Sequence, residues 1–596
     1  MKNFIKNLKD IIFLIRPFWK YGKFHMVISL IIYIFIIPLN AIASVLFTQS
    51  VIDAVATGAS FTDVLVIIFR FLLILFFTVI IQNAFDSLYN EAKMVAITQK
   101  INADIYSKVL KTDYKYFDNP EFYNNYSWAI NEYAGKASEA RLLLLNICRS
   151  ISTIISMTTI IAILGPLLIV ITIIEMCITI LFEMKRNKLG ISKREETMPM
   201  DRQLGYVHRI FYQREYAADI RSTNLKQFLY EIYDDNGSKK IFIIKKYAKR
   251  ILLWLYAQNF IGIIYNAAIM AYISYSLIVS KKIVGIGKFM SLITANTQLI
   301  TSLYGFFGFF SQANNLSLYA QKINNFFKTE SKIEANVSSQ LLDVEKKTAF
   351  KVEFKNVCFS YENSGFSLSN INFVIKPKEK IAIVGANGVG KTTLVKLLLR
   401  LYDVTEGMIL INDIPIQNYN IHLLRNDIGV AFQTPNTYAI SFLNNMQLYR
   451  TLNSYEVDSI MEKFDLKNVI NKSKATIQTD ITKEFDDNGI ILSGGEAQKL
   501  GLSRIMKSDF GLLLLDEPSS ALDPISEYEF MKLLHDRANS STSIIIAHRL
   551  STVRNSDRIY VMDDGKIIET GTHDQLIALK GKYFEMFEKQ SEHYIN

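Results

Sequence analysis

Cysteine is almost absent from this chain, with three in 596 residues. Cys148 and Cys177 lie in apolar runs, Cys358 stands in the second half, and none has a CxxC partner or a histidine beside it. That excludes a disulfide framework and a thiolate metal site, and the three read as packing residues. No cleavable signal peptide is visible either. The N-terminus carries Lys2, Lys6, Lys9, Arg16, Lys20 and Lys23 against one acid, Asp10. Ile5, Leu8, Ile11, Ile12, Ile15, Phe18 and Trp19 recur there at helical spacing. The pattern predicts an amphipathic helix on the inner face of a membrane, ending near Pro17, with a signal anchor as the alternative. A formal net charge of +10 would suit a nucleic-acid binder. The Lys and Arg residues crowd beside apolar segments, however, which suits anionic lipid better, so membrane lipid and no nucleic acid is expected as a partner.

Apolar length is plentiful. Half the residues are hydrophobic, with 39 Phe and 31 Tyr, and the mean hydropathy is positive. The excess lies before about residue 325, so the chain divides into an apolar first part and an ordinary globular second part. Apolar runs cover 26–48, 63–84, 143–164, 166–184, 251–278 and 287–312. Each approaches or exceeds the roughly 20 residues that a helix needs to cross a bilayer. Only Gly165-Pro166 separates the third from the fourth, and an unbroken helix of about 40 residues would cross twice, so the chain is expected to turn there. Six spans result.

Charge orients them. The loop near Asp53 to Asp63 has no Lys or Arg and Gly165-Pro166 has no charge, whereas 88–140 and 185–250 are rich in both. Lys281, Lys282 and Lys288 in the third outward loop run against the trend. The sum places both termini on the cytoplasmic side. The two long polar segments are too long for loops, so each is expected to be a pair of helical extensions joined by a crosspiece. Phe117-Asp-Asn-Pro-Glu-Phe122 is the expected turn in the first, because Asn-Pro stops a helix, and Tyr216-Ala-Ala-Asp-Ile-Arg221 in the second.

The second half carries the chemistry. Residues 385–392 read Gly-Ala-Asn-Gly-Val-Gly-Lys-Thr, between a buried strand, Ile381 to Val384, and a helix over 391–400. Glycines let backbone N–H groups turn inward around phosphate, Lys391 reaches the outer phosphates, and the Thr392 hydroxyl suits Mg²⁺. Leu512 to Leu515 followed by Asp516 and Glu517 is a buried strand ending in two carboxylates, one for Mg²⁺ and one to polarise a water. Leu-Ser-Gly-Gly-Glu at 492–496 resembles the signature of ATP-binding-cassette (ABC) proteins.

That resemblance implies that Gly385, Asn387, Gly388, Gly390, Lys391, Thr392 and Thr393 hold ATP together with Ser493, Gly494, Gly495 and Glu496 of a second subunit. Gln433 looks like the family's Q-loop glutamine, which touches Mg²⁺ and water. Asp523, in Ser520-Ala-Leu-Asp523, looks like the D-loop aspartate. His548 resembles the switch histidine, and Tyr361 the aromatic that stacks on adenine, although Phe359 lies two residues away on the same strand face. Glu517, His548 and Gln433 are then the catalytic set, with Thr392, Gln433 and Asp516 on Mg²⁺. Two departures stand out: Glu496 replaces the common glutamine, and Pro377 to Lys380 lacks the usual glycine. Neither removes a chemical role.

Six spans followed by one cassette resemble a half-size ABC exporter of the multidrug, lipid and peptide type. The implied fold is an α-helical six-span membrane domain with long cytoplasmic extensions (1–325), a linker (326–349) and an α/β P-loop domain (350–596). The crosspieces resemble coupling helices. The resemblance implies ATP and Mg²⁺ as cofactors, a homodimer or a pairing with a related half transporter, and the cytoplasmic membrane as location. An ATP-gated channel or sensor on the same scaffold is the alternative. Leader-peptide cleavage is not expected, because only about 25 residues precede the first span. Polar Asn296, Gln298 and Gln312 beside Tyr304, Phe306, Phe307, Phe309 and Phe310 suggest a cavity for amphipathic cargo, which Arg70 and Glu175 could share or pair across.

Overall fold

The computed structural model describes residues 2–595 apart from 165, 280–285, 335–348, 362–366, 507–509, 520–521, 538–540 and 548. The chain forms two compact units, Met1–Val109 with Glu121–Thr329, and Leu110–Pro120 with Glu330–Asn596.

Helices build the first unit: α1 (Lys2–Tyr21), α2 (Lys23–Ala56), α3 (Phe61–Leu110), α4 (Pro120–Leu164), α5 (Pro166–Tyr212), α6 (Ala217–Ser222), α7 (Leu225–Val279) and α8 (Ile286–Lys328). A helix rises about 1.5 Å per residue, so helices of 43 to 55 residues outrun the roughly 30 Å hydrocarbon layer of a bilayer. By length and composition, 4 helices among the described residues can cross a membrane: α2, α3, α4 and α7. The fourth and sixth expected spans fall in α5 and α8, which are as long. In α8 the polar residues Ser291, Thr294, Asn296, Thr297 and Gln298 dilute the apolar run.

α1 differs from expectation at its end, since Pro17 lies inside the helix. Proline in a helix interior removes one backbone bond. Here Leu14, Ile15 and Phe18 are buried on both sides of it while Leu8, Ile12 and Trp19 stay exposed, so the amphipathic face holds the turn together. Asp10 accepts hydrogen bonds from Ser317 and Gln321 of α8, and Tyr21 donates to Asp104 of α3.

Packing also corrects the expectation for Asn296. It is 3% exposed, and its side chain accepts a 2.6 Å hydrogen bond from Tyr265 of α7. A buried amide in an apolar helix pair needs such a partner. It therefore belongs to the helix interface, where Val45, Met157, Leu299 and Leu303 also pack. Phe309 is buried, and Phe307 packs against the same cluster. Arg70 is exposed and Glu175 buried, and no ion pair joins them among the described residues.

In the second unit, β1 (Val352–Ser360), β2 (Ser367–Ile375), β4 (Glu406–Ile411) and β5 (Ile414–Pro415) form an antiparallel sheet of order β2-β1-β4-β5. A six-stranded sheet of order β10-β9-β3-β8-β7-β6 contains β3 (Lys380–Gly385), β6 (Ile428–Ala431), β7 (Leu512–Asp516), β8 (Thr542–Ile546), β9 (Arg558–Asp563) and β10 (Lys566–Gly571). Strands β3, β6, β7, β8 and β9 run parallel. Their unbroken apolar sequences follow from burial on both faces.

The segment Leu110–Pro120, which joins α3 to α4, packs with this unit. It turns through a 3₁₀ stretch at Tyr114–Asp118, and the buried Asp113 carboxylate accepts N–H bonds from Lys332 (2.9 Å), Ile333 (3.0 Å) and Glu334 (3.0 Å). At the second expected crosspiece a 3₁₀ turn, Arg214–Tyr216, leads into the short α6.

Candidate nucleotide site

Parallel strands bring the ends of β3, β6 and β7 to one edge of the sheet, where open α/β sheets hold their ligands. The loop after β3 needs backbone that only glycine enters cheaply: Gly388 has φ 83° and Gly390 φ 103°. Gly390 caps the helix α9 (Lys391–Leu398), so the helix start faces back over Gly385, and Asn387 and Gly388 form the exposed crest. Lys391 is buried, and its ammonium donates to the carbonyls of Gly385 and Ala386, both at 2.8 Å. Burial pushes its pKa down, against the opposing pull of Glu517 and Asp516. Thr392 is exposed at the helix start, whereas Thr393 is buried and shares a 3.2 Å hydrogen bond with the Tyr361 hydroxyl.

Tyr361 follows β1 and is half-buried, whereas Phe359 is only 5% exposed in the core. The two rings meet edge-on at 4.9 Å. Of the pair, Tyr361 is thus the more exposed ring. Tyr402, which no sequence motif marks, meets Tyr361 edge-on at 5.3 Å and Tyr114 at 5.7 Å. Lys396 lies within 5.8 Å of all three rings.

At the end of β7, Asp516 is 3% exposed. Glu517 has φ 50°, a left-handed backbone that a residue with a Cβ rarely adopts and that is found at functional turns. Its N–H donates to the Ile546 carbonyl of β8 at 2.9 Å, and its carboxylate accepts from Gln433 Nε2 at 2.7 Å. Gln433 thereby keeps its amide oxygen for another partner. The Thr392 hydroxyl, the Asp516 carboxylate and the Gln433 oxygen are an all-oxygen donor set, which fits Mg²⁺.

The Leu492–Glu496 stretch opens α10 (Gly494–Ser503). Ser493 caps the helix, accepting from the Glu496 N–H while the Glu496 carboxylate accepts from the Ser493 N–H at 2.8 Å. The residue that departs from the common glutamine is thus occupied in a capping box, which either side chain can complete. Ser493 and Gly494 are exposed, and among the described residues no hydrogen bond joins 492–496 to the phosphate loop. Asp523 accepts from the Ile525 and Ser526 N–H groups at 3.1 and 3.0 Å, capping α11 (Pro524–Arg537). The Ser526 hydroxyl, then its N–H, holds the Asp523 carboxyl below the usual range. His548, Ser520 and Ala521 lie outside the described residues. Next to His548, Arg549 donates to Glu527 at 2.5 Å.

Known proteins share this arrangement. A family profile described as ABC transporter matches residues 368–520. The subtilin transport ATP-binding protein SpaT of Bacillus subtilis is 28% identical over 612 residues, covering 99% of this chain and 96% of that protein. An ATP-dependent lipid A-core flippase of Methylobacillus flagellatus is 38% identical over 248 residues, 40% of this chain and 41% of the flippase. A bacterial Atm1-family ABC exporter solved with ATP bound has the same fold, with a TM-score of 0.77 at 22% identity over 95% of this chain and 98% of that one. Residues 368–520 thus match the ABC transporter family, and the chain has the fold of an ABC exporter and resembles a transport ATP-binding protein along 99% of its length.

Proposed function

We propose that two copies of this chain form an exporter that moves an amphipathic molecule, a hydrophobic peptide or a lipophilic drug ahead of a lipid, out across the cytoplasmic membrane. Both termini and the cassette would lie inside, with six crossings formed from α2, α3, α4, α5, α7 and α8. A related half transporter as the second subunit is the other pairing that the exposed signature allows. The observation that carries the reading is the Glu517 carboxylate, held by Gln433 at 2.7 Å beside the phosphate loop, in a chain whose other unit has helices of membrane length.

In this reading the loop N–H groups and Lys391 bind the phosphates, and Tyr361 faces the adenine. Thr392, Asp516 and Gln433 would hold Mg²⁺, which when bound neutralises phosphate charge. Glu517 takes a proton from the attacking water, and His548 is assigned to the γ-phosphate side. Ser493, Gly494 and Gly495 of one subunit close over the ATP of the other, a reading supported by the exposure of Ser493 and Gly494 and by the lack of a hydrogen bond to their own phosphate loop among the described residues.

A peptide is favoured among the cargoes because the relative aligned over 96% of its length is named for subtilin transport. The flippase likeness covers 41% of that protein, so it speaks less to cargo. The test is ATPase activity of the purified dimer in lipid, with uptake of labelled peptide into inverted vesicles. Stimulation and uptake with amphipathic peptides support the reading. Response to small hydrophilic solutes alone overturns it.

A further inference from the structure

Gln498 sits one turn inside α10 and is 2% exposed, yet its amide donates at 3.3 Å to the main-chain carbonyl of Glu517. That carbonyl belongs to the residue in the left-handed conformation, whose N–H is held by β8 and whose carboxylate is held by Gln433. The same helix is fastened to the segment after Gln433. A Cβ on Gly501 would stand 2.6 Å from the Pro435 Cβ, and Arg504 donates to the Asn436 carbonyl at 2.8 Å and the Asn445 carbonyl at 2.9 Å. Burial lowers the Arg504 pKa without neutralising a guanidinium at physiological pH, and its charge strengthens those bonds. The helix that opens at Ser493 is therefore one body with both supports of the catalytic carboxylate.

We propose that Gln498 is a positioning residue that sets the aim of Glu517 in its own chain according to what engages the start of α10. This rests on the dimer reading, in which that helix start touches the ATP of the other subunit. Occupancy of one site then changes the rate at the other. A helix pulled toward phosphate carries Gln498 with it, and a shift of a few tenths of an ångström at a strained backbone re-aims the side chain.

The experiment uses mixed dimers isolated through two different tags, with single-turnover ATP hydrolysis measured in lipid. The reference pairs a wild-type chain with a Glu517→Gln chain, so one carboxylate is competent. Placing Gln498→Leu on the chain with the intact Glu517 should slow the turnover about tenfold, the scale of one buried hydrogen bond, with ATP affinity within about twofold. Placing it on the Glu517→Gln chain should leave the reference rate. Equal slowing in both arrangements would assign Gln498 to the signature's contact with ATP or to folding, and overturn the proposal. Gln498→Lys, which keeps a donor, should recover part of the rate, and no recovery at unchanged melting temperature would also count against it. If no mixed dimer can be isolated, the dimer reading has failed, and Gln498→Leu in every chain still tests the positioning role through its effect on rate against affinity.

Discussion

The Tyr402 hydroxyl donates to the Asp118 carboxylate, and both belong to the unit that holds the nucleotide site, although Asp118 lies in sequence between two helices of the other unit. Burial raises the Tyr402 pKa first and the bond to Asp118 raises it further, so the phenol stays a donor at any physiological pH. Because the Tyr402 ring also meets Tyr361 and Tyr114, the ring proposed to face adenine is two contacts from the turn that connects α3 and α4. Tyr402→Phe and Asp118→Asn should each cut cargo-stimulated ATPase activity by about three- to tenfold and leave basal hydrolysis within about twofold, since one hydrogen bond is lost and no phosphate contact. Equal loss of both activities would make the contact structural only.

Asp219 and Arg221 in the second crosspiece are placed differently. The Asp219 main-chain carbonyl accepts from Thr223 and the Arg221 side chain donates to the Ala217 carbonyl, so the short α6 closes on itself without using the Asp219 carboxylate. Charge reversal at either should lower stimulated activity more than basal activity, with the helix retained.

Legibility in the sequence tracks the range of each interaction. The phosphate loop, Asp516, Glu517 and the capped signature depend on neighbours within a few residues, and glycine and carboxylate spacing announces them. Tyr402 and Gln498 act through partners far along the chain, and Leu-Tyr-Asp or a glutamine one turn into a helix carries no local mark of that. Asn296 shows the opposite failure. An amide in an apolar run suggests a cavity, but Tyr265 on another helix satisfies it, and no pattern within α8 could reveal that partner.

Substitution in the nucleotide site should separate binding from chemistry. Glu517→Gln keeps the Gln433 contact on an amide but loses the proton acceptor, so ATP should still bind while turnover falls at least about a hundredfold. Lys391→Ala should instead weaken binding, because the ammonium is the cation aimed along the loop. Chelating Mg²⁺ with EDTA should stop hydrolysis in the wild type. Near wild-type turnover in Glu517→Gln would remove that residue from the catalytic role.

Asp113 is a stability test. Its carboxylate accepts three main-chain N–H groups and is 1% exposed, so Asp113→Ala strands the two buried donors, those of Ile333 and Glu334, at about 1–3 kcal/mol each before relaxation. Thermal unfolding in lipid should drop by about 5 °C or more, with Asp113→Asn losing less. An unchanged melting temperature would mean that water replaces the carboxylate.

The cargo surface should lie on the face of α8 that packing leaves open. Thr297, Thr301, Gly305 and Gln312 are exposed and fall roughly on one side of the helix, while Asn296, Leu299 and Leu303 on another side are buried. Thr297 and Thr301 donate their hydroxyls to the carbonyls of Ile293 and Thr297, at 2.9 and 2.8 Å, which leaves each hydroxyl oxygen to accept from water or cargo. A helix face bearing these groups suits a water-accessible path better than hydrocarbon. In a chain with Cys148, Cys177 and Cys358 replaced by serine, Thr301→Cys should react with a membrane-impermeant thiol reagent, and Leu303→Cys should not. Thr301→Val should shift the concentration of amphipathic peptide giving half-maximal ATPase stimulation by about threefold or more, the scale of one lost polar contact, with basal activity unchanged. Asn296→Ala, by contrast, should lower thermal stability through the lost Tyr265 bond. If the cysteine at 301 stays unreactive and Asn296→Ala alone changes the peptide response, the path runs between α7 and α8 instead.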